Sequence, residues 1–304
     1  MQVKTMLELI ESLLGTPARA IPLSSCRPAK SYLLERAGIP RTGTAILFAV
    51  PYVMAHDVDH PDRNLSLYAV PRDYHGYMQE LSRTALPILQ ASFPALRFTL
   101  YADHSPIREV EAAAKAGLGV LGENGLLITP DYGSFVFLGE IVTDAPYEAV
   151  TGSVWREDAA EVPRCGGCGA CHRACPAGCT RGEGREVCLS ALTQKKGALT
   201  EDERAVLRDH PLVWGCDACQ FACPHNQQVL RSGADTPISY FREKRLRRLD
   251  LPALEAMSDE DFSDRAYAWR GRGVIRRNIE LQNTIQMDQE EANEHDAIPI
   301  RTTR

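Results

Sequence analysis

The 304-residue chain has no apolar run long enough to cross a bilayer. Its longest, Ala45 to Ala55, is broken by Pro51 and falls well short of the roughly 18 residues that a spanning helix needs. Nor is a secretory leader expected, because Glu8 and Glu11 interrupt the apolar N-terminal stretch and no small-residue cleavage site follows. A cytoplasmic protein with no membrane partner is expected. In that compartment thiols stay reduced, and clustered cysteines bind metal or do chemistry rather than form a disulfide frame. There is no excess of positive charge: the formal net charge is −6. That excludes a globally basic nucleic-acid binder and leaves room only for a local basic patch. Compositional bias is absent too. With 44% hydrophobic residues, 24% charged residues and 19 prolines, disordered and fibrous classes are excluded, and the chain is long enough for two domains with a real core. Most of the chain even lacks cysteine. Nine of the ten lie between Cys165 and Cys223, and the tenth is Cys26.

Upstream of the cysteines the pattern alternates between helix and strand. Leu7, Leu9, Ile10, Leu13 and Leu14 predict a short amphipathic helix ending at Gly15. Ala45–Val50 predicts a buried strand closed by Pro51. A helix is expected from about Asp73 into the Leu86 region, then a strand over Arg97–Tyr101. Ser105 and Pro106 have the chemistry of an N-cap and a first helical residue, with Gly117 at the end of that helix. Phe135–Val142 predicts another strand; beyond Cys223 the pattern turns helical and basic, and it ends in a polar tail.

The cysteine spacing carries the strongest chemical signal. Cys165, Cys168, Cys171 and Cys175, the last followed by Pro176, repeat the run of a bacterial two-cluster ferredoxin. A partial second copy is Cys216, Cys219 and Cys223 before Pro224, and Cys188 can supply the missing first ligand. In such runs the cysteine before proline ligates the other cluster. The rule assigns Cys165, Cys168, Cys171 and Cys223 to one [4Fe–4S] cluster, and Cys175, Cys188, Cys216 and Cys219 to the other. Zinc is the alternative, since paired C-x-x-C motifs also build zinc ribbons. Three cysteines at successive two-residue gaps and two Cys-Pro endings fit iron–sulfur better. Cys26 and Cys179 are left over, and both read as small buried hydrophobes.

Two one-electron clusters suit a two-electron reduction at another centre, which the first 150 or so residues must hold. There the chain reads Ala102-Asp103-His104-Ser105-Pro106, then Ala116-Gly117-Leu118-Gly119-Val120-Leu121-Gly122-Glu123-Asn124, Leu126-Leu127-Ile128 and Gly133 to Glu140. With Asp73-Tyr74-His75 and Gly215 to Asn226, this order of motifs resembles the epoxyqueuosine reductases. Those are cobalamin-dependent iron–sulfur enzymes that act on a modified base in tRNA and are related to reductive dehalogenases. The resemblance spans about Ile46 to Asn278.

The resemblance implies an α+β protein: a nitroreductase-like α/β domain binding base-off cobalamin, then a bacterial-ferredoxin-like two-cluster domain and a short helical C-terminal segment. The expected divisions are 1–152, 153–232, a basic helical segment over 233–282, and a flexible tail over 283–304. The implied reaction takes an epoxide to an alkene and water through Co(I), with Asp103 as the proton donor. Asp73, His75, Asp103, Gly122, Asn124, Leu127, Leu138 and Asp217 are the implied cobalamin contacts. Burial against the corrin is expected to raise the Asp103 carboxyl. Read by themselves, Asp103 could cap a helix and His75 could be a core histidine. The glycines, Asn124, Leu127, Leu138 and Asp217 could be turn and packing residues. The chain departs from the family at Glu123, where lysine is usual, and at Val120, where tryptophan is usual. It reads as a short form without the family's C-terminal helical repeat domain. The run Arg265, Arg270, Arg272, Arg276 and Arg277, interleaved with Tyr267 and Trp269, then becomes the candidate face for a tRNA anticodon stem-loop. A flavodoxin or ferredoxin is the expected electron donor. A cobalamin-dependent reductase of a small molecule and a two-cluster electron carrier are the other readings.

Overall fold

The computed structural model describes residues 5–156, 161–179 and 187–283. The expected tail lies outside these residues beyond 283. The first part runs α1 (Met6–Leu14), β1 (Ala18–Pro22), β2 (Thr44–Pro51), α2 (Tyr74–Ser92), β3 (Phe98–Tyr101) and α3 (Glu109–Lys115). It continues with β4 (Val120–Leu121), β5 (Leu127–Ile128) and β6 (Val136–Thr143). Four strands form an antiparallel sheet in the order β1-β2-β6-β3, and β4 pairs only with β5.

The uninterrupted apolar run of β2 makes it a central strand, with all eight residues buried. Its side chains alternate between two cores. Ile46, Phe48 and Val50 pack with α1 and α2, whereas Ala45, Leu47 and Ala49 pack with the alanines of α3. Phe48 faces Gly139 across the β2–β6 register. A Cβ at that glycine would sit 2.3 Å from the phenyl ring, so only glycine admits it. Helix α1 begins with a capping box between Thr5 and Glu8 and ends on Gly15 at φ +65°. The Asp73 cap and the strands near Arg97 and Phe135 also stand within a residue of expectation, while α2 continues through Pro87 to Ser92.

The helix expected from Ser105 starts instead at Glu109. Residues 106–108 are drawn into pairing with residues 27–29, through Ala29 N–H to Pro106 O at 2.9 Å and Arg108 N–H to Arg27 O at 2.9 Å. The Ser105 hydroxyl turns inward, accepting from the Ile107 N–H at 3.0 Å and reaching Glu140 at 2.7 Å.

Beyond Cys223 the chain is mostly short helices, with a longer one over 272–283. This segment is not an appendage. Leu249, Leu254, Phe262, Tyr267, Ile275 and Ile279 share one core with Leu65, Val70 and Trp214. Asp57, fully buried, binds the guanidinium groups of Arg245 and Arg247 and so ties the segment to the first domain. Removing one side of such a group leaves buried charge unpaired. Asp57→Ala is expected to cost about 3–5 kcal/mol, read as a lowered denaturant midpoint with native-like circular dichroism below the transition.

Candidate functional site

After β3 the chain turns through Asp103 at φ +58°, a left-handed conformation uncommon for a non-glycine residue. The first turn of α2 holds the aspartate's side chain. The Tyr74 hydroxyl donates to Asp103 Oδ2, and His75 Nε2 lies 3.7 Å from the same oxygen. Asp73 fixes this turn by accepting from the His75 backbone N–H at 3.1 Å and pairing with His75 Nδ1 at 3.0 Å. That bond to Asp73 raises the imidazole above its ordinary value, against the effect of burial. Burial, and then the neighbouring Asp103, push the Tyr74 phenol well above its usual range. Tyr74 therefore keeps its proton and donates it in a hydrogen bond to Asp103. Asp103 is neither a helix cap nor buried: 65% of its side chain is exposed. The expected desolvation of this carboxyl is not supplied by the polypeptide. His75 is about half exposed and not a core residue.

Asp103 stands on one wall of a cavity of about 750 Å³, with Lys30, Glu109, Gly122, Arg164 and Cys165 also lining it. Two acids that sequence reasoning missed lie here. Burial pushes Glu109 up to about 7, with Asp103 adding to the rise. Behind it Glu140 of β6 is fully buried and pushed up to about 8 by the same cause, although the Ser105 bond opposes this. The Oε2 atoms of both are buried and have no hydrogen-bond partner. The signal for Glu140 was present in the sequence, as a lone acid in an otherwise apolar strand. Glu109 looked like an ordinary helix-start acid.

The glycine segment forms the opposite wall and carries the cysteines. The Leu121 N–H donates to Pro163 O at 2.7 Å and the Cys165 N–H to Leu121 O at 3.0 Å, so the first cysteine run is stitched to β4. Gly122 is needed for a tight turn, since a Cβ there would lie 2.5 Å from Asn124 Oδ1. Asn124 closes that turn onto the Leu126 N–H at 3.3 Å and also hydrogen-bonds Cys219. Leu127 and Leu138 belong to the hydrophobic layer on the sheet and do not line the cavity. Asp217 is 2% exposed and committed elsewhere: Arg63 Nη1 at 2.8 Å, Ser66 Oγ at 2.5 Å and the Leu67 N–H at 3.0 Å all bind it. Of the implied cofactor contacts, Asp103 and Gly122 line this cavity, His75 and through it Asp73 adjoin it behind Asp103, Asn124 lines the neighbouring cysteine cavity, and Asp217 holds the fold.

The cysteines gather in two places. Cys165, Cys168, Cys171 and Cys223 surround a second cavity of about 230 Å³ beside Gly122 and Asn124. Cys216 has Cys188 and Cys175 as neighbours, and Cys219 has Cys216, Cys188 and, from the first group, Cys171. Burial pushes Cys216 up to about 11 and Cys219 to about 12. Crowded, desolvated thiols are a donor set suited to metal. Both groups fit thiolate-bound iron. Cys26 is a buried small residue, as expected. Cys179 is instead only partly buried and hydrogen-bonds both Cys175 and Cys188.

The C-terminal arginines are not the open basic face that their run suggests. Arg265 donates to Lys244 O at 2.6 Å, Arg272 to Leu254 O and Met257 O, and Arg277 to Lys195 O at 2.9 Å, while Arg276 pairs with Glu255 at 2.8 Å. Most of this charge is spent on backbone carbonyls because the segment is short of regular hydrogen bonding. Arg270 instead stacks on the exposed Trp269 at 3.7 Å.

Residues 164–226 match the family model described as a 4Fe-4S double cluster binding domain. The chain is 38% identical over 218 residues to an epoxyqueuosine reductase of Listeria monocytogenes, covering 68% of this chain and 53% of that one. To the epoxyqueuosine reductase of Gloeobacter violaceus it is 32% identical over 244 residues, covering 79% and 73%. The chain thus spans about half the length of several curated relatives it matches. Among solved structures, the epoxyqueuosine reductase of Streptococcus thermophilus superposes with a TM-score of 0.70 at 22% identity, over 99% of this chain and 87% of that one. Another, solved with an epoxyqueuosine-modified tRNA-Tyr stem loop, superposes at 0.66 with 24% identity, over 90% and 80%.

The buried acids set a pH dependence of stability. A carboxyl whose folded value is raised favours the folded state at low pH, and that advantage is lost as pH climbs from the unfolded value through the folded one. Glu140→Gln removes this loss while keeping the acceptor for Ser105. The variant is expected to gain at least ~3 °C in melting temperature over the parent at about pH 9, and little or nothing at about pH 5. Parallel thermal melts at the two pH values check it.

Proposed function

This chain belongs to the epoxyqueuosine reductase family, and on that premise we propose that it is an oxidoreductase that removes the epoxide oxygen of epoxyqueuosine in tRNA. The observation that carries the reading is one cavity lined by both Asp103 and Cys165. Such a space suits a cofactor that takes electrons from the cysteine side and meets protons on the other. Cobalamin, when bound, supplies the two-electron reducing centre. The open volume of the cavity and its glycine wall at Gly122 and Gly125 suit a large amide-fringed ring. Gly122, Asn124 and the Asp73-His75-Asp103 corner would hold it, with Leu127 and Leu138 supporting the layer beneath and Asp217 acting through the cysteine loop.

The chain's own residues divide the remaining work. Cys165, Cys168, Cys171 and Cys223 hold one [4Fe–4S] cluster, and Cys175, Cys188, Cys216 and Cys219 the other, fed by a flavodoxin or ferredoxin. Asp103 protonates the departing oxygen. Tyr74 and His75 fix the carboxyl so that its free oxygen faces the cavity. The stem-loop seen on a relative supports an anticodon stem-loop as the macromolecular partner. One observation favours a second reading, reduction of a small molecule: the arginines expected to hold phosphates mostly bind the protein itself.

Protein purified without oxygen is expected to hold about eight irons per chain, and stoichiometric zinc with negligible iron ends the reading. Asp103→Asn should keep cobalamin binding and both clusters yet lose about a hundredfold to ten-thousandfold in turnover of an epoxyqueuosine-containing stem-loop. Parental turnover by this variant removes Asp103 from the chemistry. A parent that reduces only free nucleoside and shows no affinity for the stem-loop selects the small-molecule reading.

A further inference from the structure

Removing an epoxide oxygen as water breaks both C–O bonds and forms one C=C bond. It consumes two electrons, delivered one at a time from a low-potential donor through the clusters, and two protons. Asp103 carries one proton at a time, so a second source must refill it. We propose that Glu109 is that source: its carboxylic acid passes a proton through cavity water to the Asp103 carboxylate between the two transfers, and is then recharged from solvent. The inference rests on the reductase reading above.

Three features place Glu109 in this role. It lines the same cavity as Asp103, and Asp103 is the charge that acts on its carboxyl most strongly, so the two acids are neighbours whatever fills the space. Its Oε2 is buried with no partner, and among the described residues no cation lies within ion-pair distance of it. An unpaired buried carboxyl holds its proton. The groups around it preserve that state. Asp103 in the turn disfavours a second negative charge on Glu109, and Lys30 on the 27–32 segment opposes it; Glu109 in turn raises Tyr74 of α2 and Glu140 of β6, so both of these stay protonated beside it. On its own helix, the Glu111 carboxylate is engaged by Arg108 and Arg27. Glu140, fully buried and bonded to Ser105, does not line the cavity. The acid's position near 7 is where proton donation and recovery are both fast.

The test uses holoenzyme with both clusters and cobalamin, saturating reductant and epoxyqueuosine stem-loop, over a pH series. Glu109→Gln should lower kcat about tenfold to a hundredfold near neutral pH with KM little changed. It should lose the parent's decline above about pH 7, and regain rate on adding a small general acid such as imidazolium. Glu109→Asp, which keeps an acid, should retain most of the rate and guards against a folding failure of the amide. Infrared spectra of the cofactor-free chain should show a protonated carboxylic C=O band that Glu109→Gln lacks and Glu140→Gln alters separately. Parental rate and pH profile in Glu109→Gln overturn the inference while leaving the reductase reading intact. So does a slow variant with unchanged profile, no buffer rescue and weakened cobalamin binding, because Glu109 then holds the cofactor. An inactive parent overturns the reductase reading and this inference with it.

Discussion

The buried carboxylate of Asp217 fixes the relation between the two halves of the molecule. It sits between Cys216 and Cys219, and its partners, Arg63, Ser66 and the Leu67 N–H, all belong to the segment that follows the central strand of the first domain. A carboxylate is withdrawn from water only where enough donors replace it. The cysteine loop can therefore settle in one place only. A second clamp works beside it. Asn226 accepts from the Ser134 N–H at 2.8 Å and donates to Ser134 Oγ and Gln220 O, while Gly133 lies so close that a Cβ would sit 2.1 Å from the amide oxygen. With these polar locks made, the thiols face the glycine wall and the cavity acquires its electron-accepting end.

Its other end is organised by a different economy of charge. Arg63 and Asp217, or Arg245 and Asp57, are buried with partners and serve the fold. Glu109 and Glu140 are each buried with one oxygen unpartnered and, among the described residues, no cation in ion-pair contact, which costs stability and serves no packing purpose that apolar residues could not meet better. Uncompensated acids beside a cavity mark a place where proton affinity matters. The left-handed Asp103 backbone belongs to the same pattern, strain tolerated where a side chain must be aimed.

What could be read in the sequence follows from how local each signal is. The β2 run, the α1 periodicity with Gly15, the Asp73 cap and the cysteine spacing are specified by residues a few positions apart, and each appears where expected. The start of α3 was misplaced because Ser105 and Pro106 carry good capping chemistry that a distant partner, residues 27–29, overrides by pairing. The arginine run looked like an interaction face because composition cannot show that its guanidinium groups terminate helix carbonyls. Asp103 and the glycine wall were legible through the order of motifs. The acids behind them were not, since only the fold brings position 109 against 103 and 140.

The exposure of Asp103 completes the logic of the site. A proton donor left 65% exposed sits in water until something fills the cavity, and bulk water competes for both its proton and its hydrogen bonds. Its neighbours differ. Tyr74 is largely buried and Glu109 stays desolvated without any ligand, so the proton store and the aiming device are built before the cofactor arrives. Filling the cavity then adds the one missing element, exclusion of water from the acid itself. On the proposed function, proton delivery by Asp103 then becomes efficient only when the cofactor is also in place.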